Sequence, residues 1–192
     1  MIIGLAGRKR SGKSTAARYL VENHGVTELS FADPLKRMAL AVDPRVGPES
    51  DPVRLSEAVG VWGWEEAKDR FPEVRRFLQR LGTEGVRDHI GQDTWVNLAE
   101  LEIIRVIREN EQVDQVAESN IVFADIRFEN EAALIREWGG VVIEVYRPSQ
   151  GDPEPEHSSE AGVRADHLAV NPEGDKNVLF SVLDYCVSKV TE

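Results

Sequence analysis

Cysteine is almost missing from this chain of 192 residues: Cys186 alone cannot close an internal disulfide, and no multi-cysteine zinc site is open to it. Standing in an apolar C-terminal helical pattern, Cys186 reads as a buried structural thiol. Long apolar runs are missing as well. No stretch of about 18 apolar residues occurs, and the N-terminus enters a strand pattern at once. The sequence therefore predicts neither a membrane span nor a signal peptide, and it points to the cytoplasm. Internal repeats, low-complexity tracts and linker-like segments are absent. One domain over residues 1–192 is expected, long enough to close a substantial core. Positive charge is scarce: 23 Lys and Arg against 34 Asp and Glu give a formal net charge of −11. That balance argues against broad electrostatic binding to polymeric nucleic acid or to an anionic membrane. With 41% hydrophobic and 30% charged residues, the composition is that of a soluble globular protein.

Against the acidic background a basic cluster stands out at the start of the chain. Gly7-Arg8-Lys9-Arg10-Ser11-Gly12-Lys13-Ser14-Thr15 matches the phosphate-binding pattern G-x-x-x-x-G-K-[ST]. It follows the apolar run Ile2 to Ala6, a buried strand, and leads into a helix of about Gly12 to Asn23. At such a strand-to-helix turn, backbone N–H groups and the helix dipole converge on an anion. Gly7 and Gly12 let the backbone wrap closely, Lys13 reaches the β- and γ-phosphates, and the Ser14 hydroxyl suits Mg²⁺. Arg8, Lys9, Arg10, Lys13 and Arg18, with Lys36 and Arg37 further on, make this region a local sink for small polyphosphates.

Strand and helix patterns then alternate, which predicts a parallel sheet covered on both faces, a three-layer α/β fold. Gly25 ends the first helix, and Thr27 to Phe31 is the second strand. Asp33-Pro34 opens a helix with Asp33 as its cap, and Lys36 falls near the carboxyl edge of the sheet, where ligands of open α/β sheets bind. Pro44 to Asp51 reads as a surface loop, and Leu55 to Asp69 as helical pieces broken at Gly60 and Gly63, with Trp62 and Trp64 packing on the core. Pro72 opens a helix stopped at Gly82, and Thr94 to Asn110 is a further helix. Residues 44–112 thus form a helical insertion, expected to carry part of the substrate site.

Asn120-Ile-Val-Phe-Ala-Asp125-Ile-Arg127 describes a buried parallel strand that delivers a carboxylate to the sheet edge. In a phosphate-loop protein Asp125 stands on the magnesium side; the alternative is a cap for a helix over Phe128 to Trp138. Arg127 suits a bidentate phosphate contact. Glu131, one turn later, has three readings: fixing Arg127, touching a substrate hydroxyl, or plain exposure. Val141 to Tyr146 is another buried strand. Arg147-Pro148 then enters Ser149 to Ala161, a loop without periodicity that is either a lid over a nucleotide, about 147–163, or an idle connection. Arg147 at its hinge is the candidate closing cation, and His157 is read as ordering the loop rather than as a base. Leu168 to Val170 is the last strand, Asn171 to Gly174 a turn that brings Asn171 near a donor's adenine, and Val178 to Val190 the closing helix.

Taken together, these residues resemble the bacteriophage deoxynucleoside monophosphate kinases, a branch of the P-loop nucleoside monophosphate kinase fold. The resemblance rests on the loop at Gly7, Phe31-Ala-Asp-Pro-Leu-Lys36, Arg75-Arg76-Phe-Leu-Gln79-Arg-Leu-Gly82-Thr83-Glu84 and Trp95-Val96. It continues through Asp125-Ile-Arg127-Phe-Glu-Asn-Glu131, Gly139-Gly140, Arg147-Pro148, His157-Ser-Ser-Glu160 and Asp166 to Asn171. It implies a P-loop fold with a sheet of about five strands, transfer of phosphate from Mg²⁺-ATP to a dNMP, and small nucleotides as the partners; a homodimer is compatible with it. The implied donor site is Arg10, Gly12, Lys13, Ser14, Thr15 and Asn171. The implied acceptor site is Lys9, Lys36, Arg76, Gly82, Thr83, Trp95, Asp125, Arg127 and Glu131, with Trp95 offering a stacking face. Lys13, Arg127, Asp125 and Arg147 would be catalytic, and Ser14 and Asp125 would face the metal. Related chains often carry Asp where Ser14 stands. Dephospho-coenzyme A kinase and a non-catalytic nucleotide-binding module are the rival readings; a GTPase is disfavoured because no Asn-Lys-x-Asp motif occurs.

Overall fold

A computed structural model of the chain describes residues 1–113, 119–148 and 162–190. The chain divides into two compact units, Met1–Phe31 with Ala99–Glu192, and Ala32–Leu98.

The first unit is built on a parallel sheet. Among the described residues its strands are β1 (Ile2–Ala6), β2 (Thr27–Leu29), β5 (Ile121–Phe123), β6 (Val141–Tyr146) and β7 (His167–Val170), in the order β2-β5-β1-β6-β7. Strand β1 lies at the centre because all five of its residues are apolar or small and buried, as a strand covered on both faces requires. Its register sets Ile3 against Val122 on one side and Val141 on the other. On one face α1 (Lys13–His24) and α7 (Asn177–Val190) bury Ala16, Ala17, Leu20, Leu179, Leu183 and Cys186 against Ile3, Leu5, Ile143 and Val145. On the other, Ile135 of α6 (Glu129–Glu137) and Ile126 press against Gly4, where a Cβ would overlap Ile126. The expected three-layer α/β fold with five parallel strands is what forms. Burial raises the Cys186 thiol pKa, as suits the expected structural thiol. No helix among the described residues is long and apolar enough to cross a membrane.

The second unit comprises α2 (Asp33–Val42), the ribbon β3 (Arg45–Val46) with β4 (Val53–Arg54), α3 (Leu55–Arg70), α4 (Pro72–Gln79), a π-helix (Arg80–Arg87) and the start of α5 (Thr94–Val113). Ala39, Val46, Leu55, Ala58, Ala67 and Val74 form its core, with Trp62 and Trp64 packed against it as expected. Four local expectations are corrected. Asp33 is the first helical residue, with Ala32 at the cap position, and its carboxylate turns to Lys36 instead. The 44–51 stretch contains half of an antiparallel ribbon, too short for its alternation to show in sequence. Gly60 leaves α3 unbroken, whereas Gly63 (φ 71, ψ 171) does kink it. Gly82 does not end its helix: the chain widens into a π-helix and continues to Arg87.

Candidate active site

Because all five strands of the sheet run parallel, their carboxyl ends share one edge. That edge carries the loop after β1, Ser30 after β2, Asp125 after β5, Arg147 after β6 and Asn171 after β7. The loop after β1 takes left-handed backbone at Gly7 (φ 128), Arg10 (φ 64) and Gly12 (φ 113). Glycine is required at the first and third. A Cβ on Gly7 would overlap the Val145 carbonyl oxygen, and one on Gly12 would overlap the Asn171 amide. Arg10 holds the same backbone region with a side chain, at a cost of about 1–2 kcal/mol that the loop's other contacts must offset.

Helix α1 starts at Lys13 with no side chain capping it, so its leading N–H groups and the positive end of its dipole point at the loop's concavity. Lys13 Nζ folds back across the loop and donates to the carbonyls of Gly7 (2.6 Å) and Arg8 (2.7 Å). Those are contacts a phosphate oxygen can replace. Ser14, the next residue, is exposed, and Thr15 is half-buried. Lys9 and Arg10 are exposed, and the first acidic residue in the sequence is Glu22.

Asp125 joins two strand ends. Its Oδ1 accepts the Phe31 N–H at 3.0 Å and its Oδ2 accepts the Ser30 hydroxyl at 2.6 Å. It does not cap α6, whose N-cap position is Phe128. Glu131 fills that role: the carboxylate, 3% exposed, accepts the backbone N–H of Arg127 at 2.8 Å and of Phe128 at 3.1 Å. A solvent-exposed Glu131 is therefore ruled out, and these bonds fix the backbone of Arg127 rather than its guanidinium, which is exposed. Ser30 was missed in the sequence, although its place just after an edge strand was a usable signal.

Arg147 is half-buried, and among the described residues its Nε is buried without a hydrogen-bond partner. The loop of Ser149 to Ala161, His157 included, lies outside the described residues. Asn171 is 2% exposed and donates Nδ2–H to the Ser11 carbonyl at 2.7 Å, so the structure sets it behind the phosphate loop and not in the open position expected for an adenine contact.

In the second unit, Lys36 is half-buried and paired with Asp33 at 2.9 Å, while Arg76 is exposed. Gly82 packs against Leu35 and is buried; Thr83 is half-buried, and its carbonyl accepts the Asp88 N–H, the long-stepped bond of a π-turn. Trp95 corrects the expected stacking face. At 4% exposure its ring is enclosed, and Nε1–H is donated to the Gly82 carbonyl at 2.9 Å. The indole therefore ties the start of α5 to the π-helix.

The family model described as deoxynucleotide monophosphate kinase matches residues 63–178. The chain is also 30% identical over 178 residues to the "Putative deoxynucleotide monophosphate kinase" of Acanthamoeba polyphaga mimivirus, which covers 86% of this chain and 83% of that one. The chain belongs to the deoxynucleotide monophosphate kinase family. It is a nucleotide kinase, a transferase whose substrates are small nucleotides. Among solved structures, a "putative kinase" from Chloroflexus aurantiacus aligns to 99% of the kinase and 95% of its own chain, with TM-score 0.43 and 12% identity. TT1252 from Thermus thermophilus aligns over 100% and 98%, with TM-score 0.39 and 18% identity.

Proposed function

We propose that this nucleotide kinase transfers the γ-phosphate of ATP to a deoxynucleoside monophosphate, giving a dNDP and ADP. The observation that carries the donor half is the uncapped head of α1 with the Lys13 ammonium folded back onto the loop carbonyls, an anion cradle built of N–H groups and one cation. The family description supports the acceptor. On this reading Arg10, Gly12, Lys13, Ser14 and Thr15 hold the donor phosphates, and Arg127 with Lys9 receives the acceptor phosphate. In the second unit Lys36, Arg76 and Thr83 carry groups suited to a nucleotide, and Gly82 and Trp95 shape the backbone beside them.

Phosphate oxygens of the dNMP are already ionised near neutral pH. One of them forms a bond to the γ-phosphorus as the bond to the β–γ bridging oxygen breaks, and ADP carries that oxygen away. No general base is required, so the protein's task is positioning and charge neutralisation by Lys13, Arg127 and Arg147. The exposed Ser14 hydroxyl and the half-buried Asp125 carboxylate are hard oxygen donors, a set that fits Mg²⁺ with its remaining positions given to water and phosphate. When bound, that ion would neutralise charge on the transferring phosphate.

The test is a coupled ADP-release assay over the four dNMPs, the NMPs and dephospho-coenzyme A. More than one dNMP should be accepted, with ribonucleotides poorer; dephospho-coenzyme A as sole acceptor, or no acceptor at all, would overturn the reading. Lys13→Ala should lower turnover at least about a hundredfold, since a preorganised cation on a transferring phosphate contributes several kcal/mol. Near-normal turnover in the folded variant would remove the loop from the mechanism.

A further inference from the structure

The Asn171 side chain is buried, polar and committed to the phosphate loop, which no base contact explains. Its own N–H is donated to the Tyr146 carbonyl at 2.7 Å, continuing the β6–β7 ladder one residue past Val170 and fixing the residue in place. From there Nδ2–H reaches the carbonyl of Ser11, itself 1% exposed, at 2.7 Å. The amide fills the space where Gly12 would carry a Cβ. No peptide bond among the described residues is cis. In a planar trans peptide the C=O and the following N–H point in opposite directions. Holding the Ser11 carbonyl inward, on a buried amide, therefore turns the Gly12 N–H outward, into the concavity at the head of α1.

We infer that Asn171 is a positioning residue of the phosphate loop, orienting the Ser11–Gly12 peptide so that its N–H faces the donor phosphates. This rests on the reading that the loop binds the donor. It sets the last strand of the sheet, 160 residues away in sequence, as the back wall of the anion site. Asn is suited to this as a neutral donor: an aspartate would set a carboxylate against the Ser11 carbonyl and beside the phosphates, and alanine would leave that carbonyl without its partner.

The deciding probe is a donor without a base. ATP and inorganic tripolyphosphate are titrated calorimetrically against the wild-type chain and Asn171→Ala, and KM for the dNMP is measured in both. Loss of one positioned peptide should weaken ATP and tripolyphosphate by the same factor, roughly fivefold, with KM for the dNMP unchanged. Weakening of ATP alone would make Asn171 a base contact and overturn the inference. A lower Tm with both affinities intact would make it merely structural and overturn it as well. If Asn171→Ala does not fold, Asn171→Ser, which keeps a shorter donor, is read by the same criteria. A wild-type chain that binds neither ligand would instead overturn the donor-loop reading, and this inference with it.

Discussion

Arg127 owes the placement of its backbone to Glu131. Glu131 takes the backbone N–H groups of Arg127 and Phe128, so the backbone beneath the guanidinium is pinned while the guanidinium stays in solvent. A cation presented on a rigid stalk at the sheet edge suits a monophosphate, which it can grip with two parallel N–H donors. Arg127→Ala should therefore lower dNMP use at least tenfold, from a charge-assisted contact of about 1.5–3 kcal/mol, and leave ATP affinity near the wild-type value. Arg127→Lys should rescue only in part, because an ammonium keeps the charge and loses the planar fork. Separate titrations of ATP and dNMP against the folded variants check this; equal weakening of the two, or no change in either, would take Arg127 out of the acceptor site.

At the scale of elements, the second unit depends on polar ties between short pieces. Glu73, in the first turn of α4, accepts the Gly47 N–H at 2.6 Å and so closes the turn between β3 and β4. Its pKa is lowered, chiefly by its own backbone N–H and then by that of Gly47, against a smaller upward push from burial. A carboxyl depressed in the folded state adds stability above its unfolded pKa of about 4.3, and that stability is lost as pH falls through the folded value. Glu73→Gln should thus cost about 0.5–1 kcal/mol near neutral pH, discounted for partial exposure, and the deficit should close in acid, once pH has fallen through the lowered folded pKa. Urea unfolding at both pH values measures it. A deficit that persists in acid would mean the charge is not what holds the turn.

The elements that were legible in sequence are those whose environment repeats at every residue. β1 is read to the residue because a strand buried on both faces shows as an unbroken apolar run, and β6 because its β-branched run is interrupted only by Glu144. Lys13 follows from the phosphate-loop pattern, and the edge positions of Asp125, Arg127 and Asn171 follow from strand ends. Misreadings fall where a distant partner decides the local shape. Gly82 reads as a helix stop, but Trp95, thirteen residues on, captures its carbonyl and the chain runs on as a π-helix. Asp33 reads as a cap until Lys36 takes its carboxylate. Asn171 and Ser11 meet across the sheet, and nothing in either local sequence announces it.

For the molecule as a whole, β1 pairs only with strands that arrive after residue 120, so the sheet cannot close until most of the chain has been made. What then opposes compaction is charge. The net −11 and a pI near 4.9 mean that above about pH 7 the folded chain carries a large uncompensated negative charge. Ion pairs such as Arg70–Glu66, Arg80–Glu84 and Arg105–Glu109 lie on the surface, where water screens them and each contributes little. Salt weakens both effects, since the screening length falls from about 30 Å at 0.01 M to about 8 Å at 0.15 M. Repulsion among many like charges acts over the longer distances that salt removes first, whereas a contact pair at 3 Å is screened least. Raising NaCl through that range at about pH 8 should therefore raise Tm. Near pH 5, where net charge approaches zero, the same addition should leave Tm flat or lower it slightly. A Tm that falls with salt at pH 8 would mean that the surface pairs, not the net charge, govern the stability of this kinase.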